Sequence, residues 1–122
     1  MAKILVVDDS STVRDEVAGF LRKNGLDVDT AVDGKDGLAK LRTSPGTRLV
    51  ISDVNMPVMD GITLLKEIKA NPNYKFTPVI MLTTEAGEDK KQEGRAAGAK
   101  AWITKPFQPQ LLVDAVAKLI MA

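Results

Sequence analysis

The sequence contains no cysteine and no histidine, and each absence excludes a class of chemistry. Without cysteine the chain has no disulfide, no thiolate nucleophile and no cysteine-ligated zinc site. Without histidine it has no imidazole base, no Ser-His or Cys-His nucleophile pair and no histidine-ligated metal. Any chemistry must therefore use carboxylates, hydroxyl groups, lysine and a hard cation.

The sequence also lacks an excess of charge of either sign, and it lacks long hydrophobic runs. The 17 Lys and Arg residues nearly balance the 16 Asp and Glu residues, and a net charge of +1 produces no general attraction to nucleic acid or membrane. No apolar run approaches the roughly 20 residues that span a bilayer, and the N-terminal apolar stretch is too short for a signal peptide. We therefore expect a soluble, cytoplasmic protein that binds neither nucleic acid nor membrane.

The chain of 122 residues, 44% of them hydrophobic, has the length and composition of one globular domain. Short apolar runs, most of them rich in β-branched residues, alternate five times with stretches of helical spacing, which predicts an α/β fold with a mostly parallel sheet. The predicted strands are Ile4–Val7, Val28–Val32, Leu49–Ile51, Val79–Leu82 and Ala101–Ile103, and the helical stretches cover 13–21, 34–42, 62–68, 88–97 and 111–120.

The helical stretch 88–97 differs from the others because its apolar face offers only alanines. We expect this helix to be loosely held and largely solvated. A basic cluster lies on and just after it, and a solvated face is a more common role for such a cluster than a docking patch. Its members are Lys90, Lys91, Arg95 and Lys100.

Polar residues follow four of the five predicted strands. Asp8-Asp9 follows the first, Ser52-Asp53 the third, Thr83-Thr84 the fourth and Thr104-Lys105-Pro106 the fifth. The carboxyl ends of parallel strands share one edge of the sheet, where ligands bind in α/β folds. Three carboxylates, a hydroxyl group and a lysine are therefore predicted to meet in one site.

This set of groups is suited to phosphoryl transfer. Three neighbouring carboxylates repel one another unless a cation lies between them, and hard oxygen ligands of this kind favour Mg²⁺. A lysine supplies positive charge and a threonine a hydrogen-bond donor for phosphoryl oxygens. A carboxylate can itself be the nucleophile, which produces an aspartyl phosphate.

Four segments at these strand ends carry a resemblance that covers the whole chain. They are Ile4–Asp9, Ser52–Pro57 with Met59–Gly61, Leu82–Glu85, and Trp102–Phe107. Together they resemble the response-regulator receiver family, whose single-domain members are of the CheY chemotaxis type. The resemblance implies one receiver domain over residues 1–122, with a doubly wound, flavodoxin-like sheet of five parallel strands in the order 2-1-3-4-5 and five helices.

The resemblance also implies roles for individual residues. Asp53 corresponds to the phosphoacceptor. Asp9 and Asp53 correspond to carboxylate ligands of Mg²⁺, Asn55 to a ligand through its main-chain carbonyl, and Asp8 to a residue that acts mainly through a water. Lys105 corresponds to the lysine that pairs with the phosphoryl group, and the Lys105-Pro106 peptide bond is expected to be cis.

Two residues are expected to form the switch, and each has a plainer alternative. Thr83 corresponds to the threonine that bonds to the phosphoryl group and moves on activation, although it could simply cap the following helix. Trp102 stands where the family usually has Tyr or Phe, an aromatic that turns inward. It is therefore either a switch residue or a packing residue of the last strand.

The function implied is that of a stand-alone, monomeric response regulator. It would receive a phosphoryl group from a sensor histidine kinase and change its binding to a target such as a flagellar motor switch or a phosphotransfer protein. It would catalyse only its own phosphorylation and dephosphorylation, at a rate influenced by Asn55 and Glu85, a pair that resembles the chemotaxis members. A relay intermediate or a phosphate sink is the alternative within the family.

Two functions outside the family fit the sequence poorly. A haloacid-dehalogenase-type phosphatase needs a second aspartate two residues after its nucleophile, but Ser10 and Ser11 occupy those positions after Asp8 and Asp9. A flavodoxin-like electron carrier binds the flavin phosphate in its first loop, and the two acids in this loop would repel that phosphate.

Overall fold

Five strands alternate with five helices in the computed structural model, which describes residues 3–121. The chain therefore has the predicted α/β arrangement. The strands are β1 (Lys3–Val7), β2 (Asp27–Ala31), β3 (Thr47–Ser52), β4 (Val79–Thr83) and β5 (Ala101–Thr104), and the helices are α1 (Ser11–Lys23), α2 (Gly34–Thr43), α3 (Gly61–Ala70), α4 (Glu88–Ala96) and α5 (Pro109–Ile120).

The five strands form one parallel sheet in the order β2-β1-β3-β4-β5, which confirms the predicted fold. The register aligns Val7, the last residue of β1, with Ala31 of β2 and with Ser52 of β3. On the other side of β3, Thr83 of β4 is paired with Thr104 of β5. The carboxyl ends of the strands therefore share one edge.

Side chains of the interior strand β1 alternate between two hydrophobic cores. Ile4 and Val6 pack with α1 and α5, whereas Leu5 and Val7 pack with α2 and α3. This alternation follows from the two-residue period of a strand, and helices on both faces explain why β1 is apolar along nearly its whole length.

Several strand boundaries differ from the predicted ones by one or two residues. β3 begins at Thr47, two residues before the predicted Leu49, and Thr47 pairs with Lys3 of β1. Val32 was predicted to end β2 but lies outside it, with 48% of its surface exposed. Backbone pairing defines a strand regardless of whether its side chains are apolar, so hydrophobic runs locate strands better than they locate strand ends.

Helix α4 is held less firmly than α1, α2 and α3. Those three begin at N-cap residues Ser10, Asp33 and Asp60, whose side chains accept backbone hydrogen bonds, whereas the N-cap of α4 is Gly87. Gly94 is the one buried residue of α4, a helix that the structure describes completely. The prediction of a largely solvated helix is confirmed. Within residues 3–121, no helix has the length and apolar character needed to cross a membrane.

Candidate functional site

Asp8, Asp9 and Asp53 meet at the carboxyl edge of the sheet, as predicted. Each offers a carboxylate oxygen, and these oxygens lie within 4.8 Å of one another. The backbone positions two of them directly, because Asp8 N–H donates to Ala31 at 3.1 Å and Asp53 N–H donates to Val7 at 3.0 Å. Sheet pairing thus continues one residue past β1 and β3 and holds the two aspartates side by side.

Lys105 reaches this acidic cluster from the loop after β5. Its Nζ lies 2.8 Å from Asp8 Oδ2 and 3.4 Å from Asp53 Oδ2, and the lysine side chain is only 12% exposed. Its backbone N–H donates to the carbonyl of Thr83 at 2.8 Å, and the Lys105-Pro106 peptide bond is cis, the isomer that the resemblance implies. The ammonium group offsets part of the repulsion between the carboxylates.

Backbone donors orient the carboxylates within the cluster. Val54 N–H donates to Asp53 Oδ1 at 2.7 Å, and Ser10 N–H donates to Asp8 Oδ1 at 2.9 Å. Arg14 Nη1 also donates to the carbonyl of Asp8 at 2.7 Å. The sequence analysis did not identify Arg14, and an arginine in the first turns of a helix is too common to indicate such a contact.

Gly61 is a structural requirement of the site. It is the first residue of α3, and a Cβ built on it would overlap the backbone carbonyl of Asp53. Its N–H donates to the carbonyl of Val54 at 2.8 Å. Glycine therefore lets α3 begin against the backbone of Asp53.

Asn55 is exposed in the loop between β3 and α3.

Thr83 is fully buried at the end of β4, and its Oγ1 accepts a hydrogen bond from Glu85 N–H at 3.1 Å. The alternative that Thr83 caps the next helix is wrong, because α4 begins at Glu88 after its N-cap Gly87. The side chain of Thr83 instead stabilises the turn that leads out of β4.

Trp102 lies half-buried on β5 beside that turn. Its indole Nε1–H donates to the carbonyl of Glu85 at 3.0 Å. Together with the bond from Glu85 to Thr83, this contact forms a hydrogen-bonded connection from the end of β4 to β5. The predicted switch residues Thr83 and Trp102 are thus connected through Glu85.

Two charged groups away from the acidic cluster have shifted pKa values. A hydrogen bond from Lys66 lowers the pKa of the Glu93 carboxyl below its ordinary value, and Lys90 adds to this effect. Burial lowers the pKa of the Lys69 ammonium, and the charge of Lys100 lowers it further. Lys69 lies on α3 and Glu93 on α4, and neither belongs to the acidic cluster of Asp8, Asp9 and Asp53.

The acidic cluster fits a magnesium ion. Three carboxylates with oxygens within 4.8 Å of one another provide hard ligands, and Asp9 among them is exposed to solvent. Mg²⁺ typically takes one or two carboxylates and completes its shell with waters and phosphate oxygens. The residues present therefore match the chemistry of this ion.

Comparison with known proteins identifies the family. A model of the response regulator receiver domain matches residues 4–117. Protein PilG of Pseudomonas aeruginosa is 42% identical over 115 residues, which cover 93% of this chain and 84% of PilG. The structure of chemotaxis protein CheY4 of Vibrio cholerae superposes with a TM-score of 0.91 at 46% identity and 98% coverage of both chains.

A further structural neighbour is the signal receiver domain of a signal transduction histidine kinase from Syntrophus aciditrophicus. It has a TM-score of 0.92 and 30% identity, with 99% of this chain and 91% of that chain covered. The family match covers nearly the whole chain, and the fold and the cluster of strand-end residues agree with it. The chain therefore belongs to the response regulator receiver domain family.

Proposed function

We propose that this protein is a stand-alone response regulator that receives a phosphoryl group on Asp53 and thereby changes its binding to a protein target. The observation that carries the proposal is the position of Lys105 Nζ, 2.8 Å from Asp8 and 3.4 Å from Asp53 inside a cluster of three carboxylates. The proposal includes a single receiver domain over residues 1–122, a monomeric state and a cytoplasmic location.

In the proposed reaction, a carboxylate oxygen of Asp53 attacks the phosphorus of a phosphohistidine on a sensor kinase. The new O–P bond forms as the P–N bond breaks, and the kinase retains its imidazole. Val54 N–H orients the attacking carboxylate, and the Lys105 ammonium is near enough to pair with a phosphoryl oxygen. The protein thus promotes its own phosphorylation without acting on an external substrate.

Four residues are proposed to hold magnesium at this site. Asp9, Asp53 and the main-chain carbonyl of Asn55 would be direct ligands, and Asp8 would act through a water. The ion supplies positive charge that neutralises carboxylate and phosphoryl oxygens. Asn55 and Glu85 are further proposed to influence the rate of hydrolysis of the aspartyl phosphate.

Asp53→Asn tests the acceptor. With acetyl phosphate and Mg²⁺, the wild-type protein should incorporate about one phosphoryl group per chain, whereas the variant should incorporate none because an amide is not a nucleophile. Mass spectrometry of the intact protein measures the incorporation. Lys105→Ala should still be phosphorylated but should lose the response of target binding. Full labelling of Asp53→Asn at another residue would contradict the assignment.

The output is proposed to be chemotaxis or another form of motility. CheY4, at 46% identity over 98% of both chains, is by name a chemotaxis protein. A protein target such as a flagellar motor switch is therefore the first to test. The histidine-kinase receiver domain among the structural neighbours favours a second candidate, in which this chain passes its phosphoryl group to a phosphotransfer protein or drains it from a kinase.

One experiment separates these candidates. Phosphorylated protein is mixed in turn with motor-switch proteins and with histidine phosphotransfer domains, and both binding and phosphate transfer are measured. Phosphorylation-dependent binding to a switch protein supports the motility output. Rapid transfer to a phosphotransfer histidine, without such binding, supports the relay or sink.

Trp102 should report activation. If phosphorylation draws Thr83 toward the phosphoryl group, the connection through Glu85 should move the indole and change its emission. Beryllofluoride with Mg²⁺, a phosphate mimic, should change the emission of wild type and of a Lys90→Ala control but not that of Thr83→Ala. Constant emission despite demonstrated beryllofluoride binding would make Trp102 a packing residue.

A further inference from the structure

The indole of Trp102 occupies the space that a side chain at position 94 would need. A Cβ built on Gly94 would lie 2.7 Å from Trp102 Cζ3 and 3.1 Å from Cε3, with Ile62 Cδ1 of α3 at 3.5 Å. Carbon atoms in favourable contact are about 3.5–4.0 Å apart. The benzene ring of the indole therefore lies on the backbone of α4 at the one position that has no side chain.

Helix α4 has few other attachments to the molecule. Gly94 is buried while the remaining residues of this fully described helix are exposed or half-buried. The N-cap Gly87 offers no side-chain cap, and the Lys66–Glu93 ion pair that connects α4 to α3 is solvent-exposed at 3.3 Å. Exposed ion pairs contribute little to stability. Contact with Trp102 is thus a main attachment of α4.

The opposite edge of the indole holds the segment in front of α4. Nε1–H donates to the carbonyl of Glu85 at 3.0 Å, and Glu85 N–H donates to Thr83 Oγ1 at 3.1 Å. One rigid ring system therefore contacts both the turn after β4 and the middle of α4. Displacement of the ring at either edge requires displacement at the other.

We infer that Gly94 is a positioning residue of the switch, because its missing side chain forms the seat of the Trp102 indole and joins α4 to the end of β4. The pair is matched in size: tryptophan needs glycine at position 94, whereas a single aromatic ring at 102 leaves room for a larger residue. The regulatory part of this inference rests on the proposed function.

The test compares Gly94→Ala with Gly19→Ala. Gly19 is also inside a helix, α1, but a Cβ there meets no atom within 4 Å. Alanine favours helix over glycine, so Gly19→Ala should raise the urea midpoint and leave the Trp102 emission unchanged. Gly94→Ala should lower the midpoint and shift the emission to longer wavelength as the indole is pushed toward water. If Gly94→Ala behaves like Gly19→Ala, the inference is wrong.

A second pair of variants shows whether the indole is the cause. In a Trp102→Phe background, the ring atoms that approach position 94 are gone. Gly94→Ala should then raise the urea midpoint, as is expected for Gly19→Ala. This comparison remains decisive if Gly94→Ala alone fails to fold. An equal loss of stability with Phe and with Trp at position 102 would show that Gly94 is needed for another reason.

Activation provides the regulatory readout. A ligand that favours the activated state must overcome the contacts of the resting state, so loss of the seat should lower the half-saturating concentration of beryllofluoride by about threefold or more. Gly19→Ala should leave that concentration unchanged. An unchanged value in Gly94→Ala would overturn the regulatory part. If wild type binds no beryllofluoride, the proposed function fails, whereas the emission and stability comparisons in the free protein still decide the seat.

Discussion

At the residue scale, the loop after Asp53 contains a strained valine. Val58 has a φ of 69°, and Met59 N–H donates to the carbonyl of Pro57 at 2.7 Å, which closes a three-residue γ-turn around it. A β-branched residue rarely adopts a positive φ. The side chain of Val58 is 76% exposed, so burial does not compensate for this strain.

Val58→Gly should therefore stabilise the protein. Relief of about 2 kcal/mol of backbone strain exceeds the roughly 0.5–1 kcal/mol lost through the greater freedom of glycine in the unfolded chain. We expect the free energy of unfolding to rise by about 1 kcal/mol in urea titrations. Val32→Gly, at another exposed valine whose φ is not positive, should have the opposite sign. Destabilisation of both variants to the same extent would mean that Val58 is unstrained.

At the scale of one helix, α4 carries two exposed ionic contacts at Glu93. Its carboxylate accepts hydrogen bonds from Lys66 of α3 at 3.3 Å and from Lys90 of α4 at 3.4 Å. These contacts lower the pKa of Glu93 from its ordinary 4.5. A carboxyl group whose pKa is lower in the folded state stabilises the fold above the unfolded value and loses that effect as the pH falls through the folded value.

Glu93→Gln should therefore lower the thermal midpoint slightly at pH 7. The difference from wild type should shrink as the pH falls below 4.5 and disappear once the pH is below the lowered folded-state pKa of Glu93, where the wild-type carboxyl is protonated as well. Thermal melts from pH 7 downward measure this. Glu67→Gln, at an exposed glutamate of α3, is the control for loss of a negative charge. A difference that persists at acid pH would show that the effect of Glu93 is not ionic.

At the scale of the whole molecule, metal binding at the acidic cluster should be coupled to the stability of the fold. Asp8, Asp9 and Asp53 follow two strands that are distant in sequence, so only the folded chain presents them together. A ligand that binds the folded state alone raises the thermal midpoint. Lys105 already neutralises part of the charge, but Asp9 makes no ion pair within residues 3–121.

Millimolar Mg²⁺ should accordingly raise the thermal midpoint of wild type, with the gain abolished by a chelator. Asp9→Ala should lose the gain and melt in chelator at or above the wild-type temperature, because one repelling carboxylate has been removed. Asp15→Ala, which removes an exposed acid of α1, is the matched control and should keep the gain. A midpoint indifferent to Mg²⁺ would count against the metal site.

The sequence by itself determined the class of fold and the edge where the site lies. Strand and helix periods are local properties, so the alternation of elements is visible in the hydrophobic pattern. Once the sheet is parallel, the residues that follow each strand share an edge, and this rule alone brings Asp8, Asp53 and Lys105 together. The strand order required the family resemblance, because hydrophobic patterns do not show which strands are neighbours.

Tertiary structure decided the contacts that depend on distances between residues far apart in the chain. No local pattern indicates that α3 begins against the carbonyl of Asp53, so the need for Gly61 appeared only in the fold. Likewise, Gly94 in the sequence is only a residue that weakens a helix. The structure shows that the indole of Trp102 lies where its side chain would be. A sequence shows where a glycine stands, but only the fold shows which group fills the space that its missing side chain leaves.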